Sequence, residues 1–293
     1  MRTNHIRLAY HLLAIVIVLI WGCTFVNSKI LLRHGLEAHE IFALRFLFAY
    51  ICIWFISPHR LLADTWRDEL NFLLLGLTGG SIYFITENEA VKIDYVNNVS
   101  FIVCTAPLLT TLLALAFIKG VRATRYLIMG AVTATLGVAL VVFNGHFVLR
   151  LRPLGDLLAL CASLCWAVYS IQMRGVSTRY GAAFVTRKVF FYGLVTVLPM
   201  FCFRPWTFPL DKFLQPAVWG NLLFLGVVAS FGCFVLWTLV IKKLGALQVS
   251  NYIYLNPVST VIFSALVLHE PMTLLACLGS SLILLGVYWS NKK

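Results

Sequence analysis

The sequence predicts an all-α membrane protein in which ten transmembrane helices form two inverted five-helix repeats around a central cavity. Three observations predict it. Apolar runs long enough to cross a bilayer fill most of the chain, the second half restates the first, and each half holds an odd number of runs.

The apolar runs come first in the argument. Of the side chains, 61% are hydrophobic and only 12% charged, whereas a soluble domain carries about a quarter charged residues. Its natural solvent is therefore lipid. A spanning helix needs roughly 20 mostly apolar residues to cross about 30 Å of hydrocarbon. In chain order such runs cover residues 10–28, 40–57, 70–91, 96–118, 126–143, 154–173, 184–203, 218–241, 247–268 and 272–290. Each is continuous over a full span and lacks the dyad alternation of a membrane strand, so helices are predicted and not a barrel.

The first run has two competing readings. Arg2 and Arg7 ahead of it resemble the charged start of a signal peptide, but no small-residue cleavage pattern follows. Ile20-Trp21-Gly22-Cys23 resembles a lipoprotein box only faintly, since bulky Trp21 stands beside the cysteine.

The net charge of +12 invites a nucleic-acid reading, but the basic residues are scattered among short loops and form no soluble face. They orient the chain instead. With the amino terminus inside, the inner segments hold 14 Lys and Arg and the outer segments 7, so the positive-inside rule places both termini in the cytoplasm. The expected location is the cell (inner) membrane, as a multi-pass integral protein. The eight cysteines all fall within spans, without metal-ligand spacing, and read as small packing residues.

Self-similarity supplies the second observation. At an offset of 145, Leu12-Leu13-Ala14, Trp21 and Lys29 meet Leu157-Leu158-Ala159, Trp166 and Arg174. At 142, Phe42, Arg45, Phe48 and Tyr50 meet Phe184, Arg187, Phe190 and Tyr192. At 150, Asn71, Gly76, Lys92, Ser100 and Pro107 meet Asn221, Gly226, Lys242, Ser250 and Pro257, and at 149 Gly130 and Gly137 meet Gly279 and Gly286. Leu and Val coincide by composition alone, but Trp, Arg, Pro and Gly in one order do not. Two repeats follow, residues 1–145 and 152–293. Five crossings in the first put the second into the membrane upside down, which is the inverted architecture of many secondary transporters.

The matching residues also carry a family likeness over essentially the whole chain. Trp21-Gly22 with Phe25-Val26, Arg45-Phe46, Ala90-Val91-Lys92 and Ala106-Pro107 stand in the first half. Asn256-Pro257, His269-Glu270-Pro271, Thr273, Gly279 and Gly286 stand in the second. In this order and spacing the chain resembles the ten-span EamA-type permeases of the drug/metabolite transporter superfamily. The resemblance implies export or exchange of small metabolites, amino acids or drugs through a central cavity lined by spans one to four and six to nine. One departure is Lys119-Gly120, which occupies the first-half position of His269-Glu270.

Ionisable residues inside spans are costly and hence functional candidates. Arg45 and Glu87 both fall roughly 6 to 8 Å below the outer boundary. Two roles stay open for them: a salt bridge that fixes helix packing, or a site where Glu87 takes a proton or substrate cation under the influence of Arg45. Arg187, at the position equivalent to Arg45, lacks a carboxylate mate because Trp237 stands where Glu87 would be. It is expected to snorkel to the interface or to an anionic lipid. Pro107 and Pro257 are expected to kink the fourth and ninth spans, and matching breaks in two halves point to a binding region. Asn251, Tyr252 and Asn256 around Pro257, and Asn98 ahead of Pro107, are polar candidates for a cavity wall. Trp21, Tyr83, Trp166, Tyr169 and Trp237 are candidate stacking walls. Gly130, Gly137, Gly279 and Gly286 read as packing positions for spans five and ten, within the chain or across a homodimer.

No phosphate loop, HExxH motif or Ser/His/Asp constellation is present. The expected function is thus a secondary transporter of a small-molecule substrate, with membrane lipid as its surroundings, no catalytic residues, no metal and no cofactor. A membrane enzyme using Glu87, Glu89 and Asp94, or a non-transporting receptor or scaffold, are the alternatives.

Overall fold

The computed structural model describes residues 2–57, 61–94, 96–118, 120, 124–143, 152–268 and 274–290. Lys119, His269 and Glu270 of the loop comparison above lie outside them. The described residues are mostly helical and contain no strand. Among the described residues six helices are long and apolar enough to cross a membrane: Arg7–Arg33, Trp66–Ile93, Val99–Phe117, Pro153–Arg179, Ala182–Phe203 and Pro216–Leu244.

In chain order the elements are α1 (Arg2–Arg33), α2 (Ala38–Trp54), α3 (Trp66–Ile93), α4 (Val96–Val103 with Ala106–Phe117) and α5 (Arg125–Phe143). There follow α6 (Pro153–Arg179), α7 (Ala182–Phe203), α8 (Pro216–Leu244), α9 (Ala246–Ser250, Asn251–Leu255 and Asn256–Leu268) and α10 (Leu274–Ser290). Local chemistry starts and stops several of them. Glu37 and Glu40 form a capping box at the start of α2. The Thr65 hydroxyl accepts from the Asp68 amide at the start of α3. Gly245, at φ +89°, turns the chain between α8 and α9.

Two long helices carry wide turns. In α3 the stretch Leu77–Ser81 is kinked at Gly80, whose φ −126° and ψ −106° are not helical. In α8 the π stretch is Phe224–Gly232. A π turn rotates every side chain after it relative to those before it. The residues it re-aims include Tyr83, Phe84 and Glu87 in α3 and Phe234 in α8, all of which line the central cavity.

Two other helices are broken outright. The α4 ladder stops at Cys104 and Thr105 and restarts at Ala106, with Pro107 in the first turn. In α9 the residues Asn251–Leu255 tighten into a 3-10 turn before a new helix begins at Asn256, again with proline second. The expectation of prolines kinking helix interiors is thereby corrected. Each proline opens a helical segment, where its missing N–H is not needed. Pro199 of α7 does lie inside a helix.

Helix α1 packs on α8 and α9, α2 on α7 and α8, and α3 and α4 on α6, so elements from the two ends of the sequence interleave. Helices α5 and α10 pair with one another through glycines. A Cβ on Gly137 would lie 2.6 Å from the Gly279 carbonyl, and one on Gly130 would lie 2.6 Å from that of Gly286. The glycine faces are therefore used within the chain.

Polar networks close both ends. At one, Arg179 pairs with Asp68 at 2.6 Å, Tyr180 donates to the same carboxylate at 2.8 Å, and Lys188 pairs with Glu69 at 2.7 Å. Arg187 is buried, donates to the Ser57 carbonyl beyond α2 and sits over the Trp54 ring. At the other end Lys92 pairs with Glu37 at 2.5 Å and Arg204 with Glu89 at 2.6 Å. There the buried Glu40 carboxylate accepts from the Thr207 and Phe208 amides at 2.7 and 3.3 Å.

Candidate functional site

A narrow cavity lies among the helices, with walls supplied by α1, α2, α3, α4, α6, α8 and α9. Of the helices expected from the family resemblance, α7 contributes no lining side chain. The close approach of α1 to α9 depends on Gly22, where a Cβ would stand 1.8 Å from Ser259 Oγ and 2.6 Å from the Asn256 carbonyl. That approach brings Trp21 and Asn256 to one cavity although 235 residues of chain separate them.

Six of the predicted residues, Trp21, Arg45, Tyr83, Glu87, Trp166 and Asn256, line this cavity. Arg45 is almost fully buried. Its Nε donates to Ser230 Oγ at 2.9 Å, and its guanidinium carbon lies 4.1 Å from the centroid of the Phe84 ring. Its Nη1 is buried without a partner. Glu87 accepts from the Tyr83 hydroxyl at 2.9 Å. The two charges share the cavity but form no direct ion pair, so the salt-bridge reading is not what the geometry shows. Each is held by its own neutral neighbour, and opposite charges close together in a poorly solvated space still favour one another. Asn256 Oδ1 is a second buried polar atom without a partner.

The aromatic wall is continuous. Trp21 meets Trp166 edge-on with centroids 5.3 Å apart, and Trp166 meets Tyr83 at 5.0 Å. Trp21 Nε1 donates to the Ala229 carbonyl at 2.9 Å, in the π stretch of α8. Such rings offer their faces to a cation and their bodies to an apolar group.

The other predicted residues go elsewhere. Trp237 and Tyr169 are buried behind the wall, against Trp21 at 4.8 Å and Trp166 at 5.1 Å, and do not line the cavity. Asn251 donates to the Ser290 carbonyl of α10 at 3.5 Å, away from the centre. Tyr252 bonds the His11 ring at 2.5 Å and lines a different crevice. Pro107 and Pro257 shape α4 and α9 without lining the cavity. The side chain of Asn98 lies outside the described residues. The 3-10 turn Asn251–Leu255 sends Asn251 and Tyr252 to other contacts than Asn256, which opens the next helical segment.

Sequence reasoning missed Phe84, Phe234 and Ser230. The two phenylalanines are unmarked among 22 of their kind. Ser230 left a usable signal, a lone hydroxyl in the otherwise apolar stretch between Gly226 and Gly232. Of the acidic trio weighed for an enzyme, only Glu87 reaches the cavity. Glu89 is paired with Arg204, and Asp94 caps the end of α3.

A multi-pass helical membrane protein with a buried, charged and aromatic cavity is the class these features define. Comparison with known proteins gives the family. The model of the EamA-like transporter family matches twice, over residues 8–143 and 153–292, and the chain belongs to that family. An uncharacterized transporter of Archaeoglobus fulgidus is 26% identical over 287 residues, which is 97% of both chains. A probable amino-acid metabolite efflux pump of Escherichia coli is also 26% identical, covering 94% of this chain and 92% of its own. A probable terminal-alkyne amino-acid exporter of Streptantibioticus cattleyicolor is 26% identical over 78% of this chain and 74% of its own. A solved crystal structure shares the fold, with a TM-score of 0.75 at 18% identity over 97% of this chain and 98% of that one.

Proposed function

We propose that the protein is a secondary transporter for a small zwitterionic metabolite of amino-acid type, working by alternating access. The observation that carries this reading is the pairing, in one aromatic-walled cavity, of Glu87 with an unpartnered Arg45 Nη1. A substrate ammonium group takes the Glu87 carboxylate and the ring faces of Trp21, Trp166 and Tyr83. Its carboxylate takes Arg45 Nη1, and the side chain lies against Phe84 and Phe234. The names of the Escherichia coli and Streptantibioticus relatives, both of which concern amino acids, support the same class.

The architecture proposed with it is ten spans in two inverted halves, residues 1–145 and 152–293, with both termini cytoplasmic in the cell (inner) membrane and no enzymatic step. Matched irregularities support the inversion. The π stretches of α3 and α8 and the breaks of α4 and α9 fall at equivalent places in the two halves. Gly76 of α3 abuts Tyr192 of α7 just as Gly226 of α8 abuts Phe48 of α2. In this reading the two polar networks at the helix ends open in turn, and the cavity between them is exposed to one side at a time.

Counterflow in proteoliposomes tests the proposal. Vesicles preloaded with a panel of unlabelled amino acids accumulate labelled substrate in the wild type, and Glu87→Gln lowers that uptake at least tenfold, since a neutral amide loses the charge-assisted bond. Uptake and its pH dependence left unchanged by Glu87→Gln would sink the assignment. Turnover in detergent without vesicles would point to an enzyme.

A further inference from the structure

A second opening lies outside the central cavity, between the start of α1, the start of α9 and the end of α10. It is wider and more open than the central cavity. At its outer end Arg7 of α1 stands beside Gln248 of α9, and about 6 Å further along α1 the His11 ring bonds the Tyr252 hydroxyl. Leu8, Ile15, Leu284 and Tyr288 supply its apolar wall. Leu8, Leu284 and Tyr288 are all more than half exposed. Arg7 is exposed and forms no ion pair with any described carboxylate; its hydrogen bond is a long one, 3.4 Å to Gln248 Oε1.

We infer that this crevice is a binding site for an anionic glycerophospholipid, with the phosphate on Arg7 and one acyl chain along the wall below. The chemistry matches in order and in length. A cationic group sits near the helix end, where headgroups lie, and the wall from Arg7 to Ile15, apolar but for His11, extends about 12 Å into the hydrocarbon at 1.5 Å per residue. Basic pockets between helices at a membrane face select anionic lipid in this way. A second copy of the chain fits poorly, because a two-fold contact is self-complementary and this surface is concave with a basic rim.

The crevice is also wired to the centre of the molecule. The 3-10 turn Asn251–Leu255 presents Tyr252 and Leu255 to the crevice and Ile253 to the central cavity. A lipid seated against Tyr252 thus bears on the turn that forms part of the central cavity wall.

Native mass spectrometry of the full chain in mild detergent, given equal amounts of phosphatidylglycerol and phosphatidylcholine with identical acyl chains, tests the inference. Wild-type protein retains phosphatidylglycerol in about fivefold excess, the contribution of one basic side chain near an anionic surface. Arg7→Gln brings the two lipids to parity, and Leu284→Trp, which fills the groove, reduces both adducts. Parity in the wild type, or a preference that survives Arg7→Gln, overturns the inference. So does a dimer that Leu284→Trp converts to monomer, because the face is then an interface between copies. The readout is binding alone, so its failure is separate from a failure of the transport reading.

Discussion

Ser230→Ala removes the hydroxyl that accepts from Arg45 Nε at 2.9 Å. Ser230 and Arg45 are both at most 1% exposed, so water does not replace the lost partner. A hydrogen bond to a charged group contributes about 1.5–3 kcal/mol. The Phe84 face, 4.1 Å from the guanidinium carbon, keeps Arg45 in the cavity but does not fix its orientation in the ring plane. If Nη1 reads the substrate carboxylate, that loss appears as a KM raised about 10- to 150-fold. Counterflow kinetics in proteoliposomes measure it, with Arg45→Gln as the second arm. In the Arg45→Gln background Ser230→Ala adds nothing, because members of one hydrogen-bonded unit are not additive. An equal effect in both backgrounds, or no effect in the wild type, refutes the argument that Ser230 acts by positioning Arg45.

Three further outcomes are expected. Lys188→Met leaves Glu69, 18% exposed, without its cation and lowers stability by about 3 kcal/mol, read by thermal melting in detergent; adding Glu69→Leu restores most of it. Gly137→Ala forces a Cβ to within 2.6 Å of the Gly279 carbonyl and 2.7 Å of the Ile283 nitrogen, which lowers stability by about 1–3 kcal/mol while KM stays unchanged, since α5 and α10 do not line the cavity. Alkaline phosphatase fused after Lys293 stays inactive and fused after Thr207 is active, as a cytoplasmic carboxyl terminus and an external α7–α8 loop require; the opposite pattern contradicts the proposed orientation.

Much of this protein was legible before any coordinate, and the reason is the solvent. Lipid obliges each crossing to satisfy its own backbone within about 20 residues, so helix positions follow from apolar run length, and the described helices match the predicted runs closely. The price of burying charge in hydrocarbon likewise marked Arg45 and Glu87 without reference to any neighbour. Contacts across the chain had no such local mark. Lys188 with Glu69, Arg179 with Asp68 and Arg45 with Ser230 join residues more than 100 positions apart, and only packing pairs them. Backbone irregularity was hidden for a related reason. A π turn in α3 and a 3-10 turn in α9 arise where neighbouring helices make up for a disturbed ladder, so Glu87 turns inward while Tyr252 turns out. Composition and periodicity thus set which segments are helices and which charges matter. The assembled helices set which of those charges meet, because the energy of each meeting depends on a partner that no local stretch of chain contains.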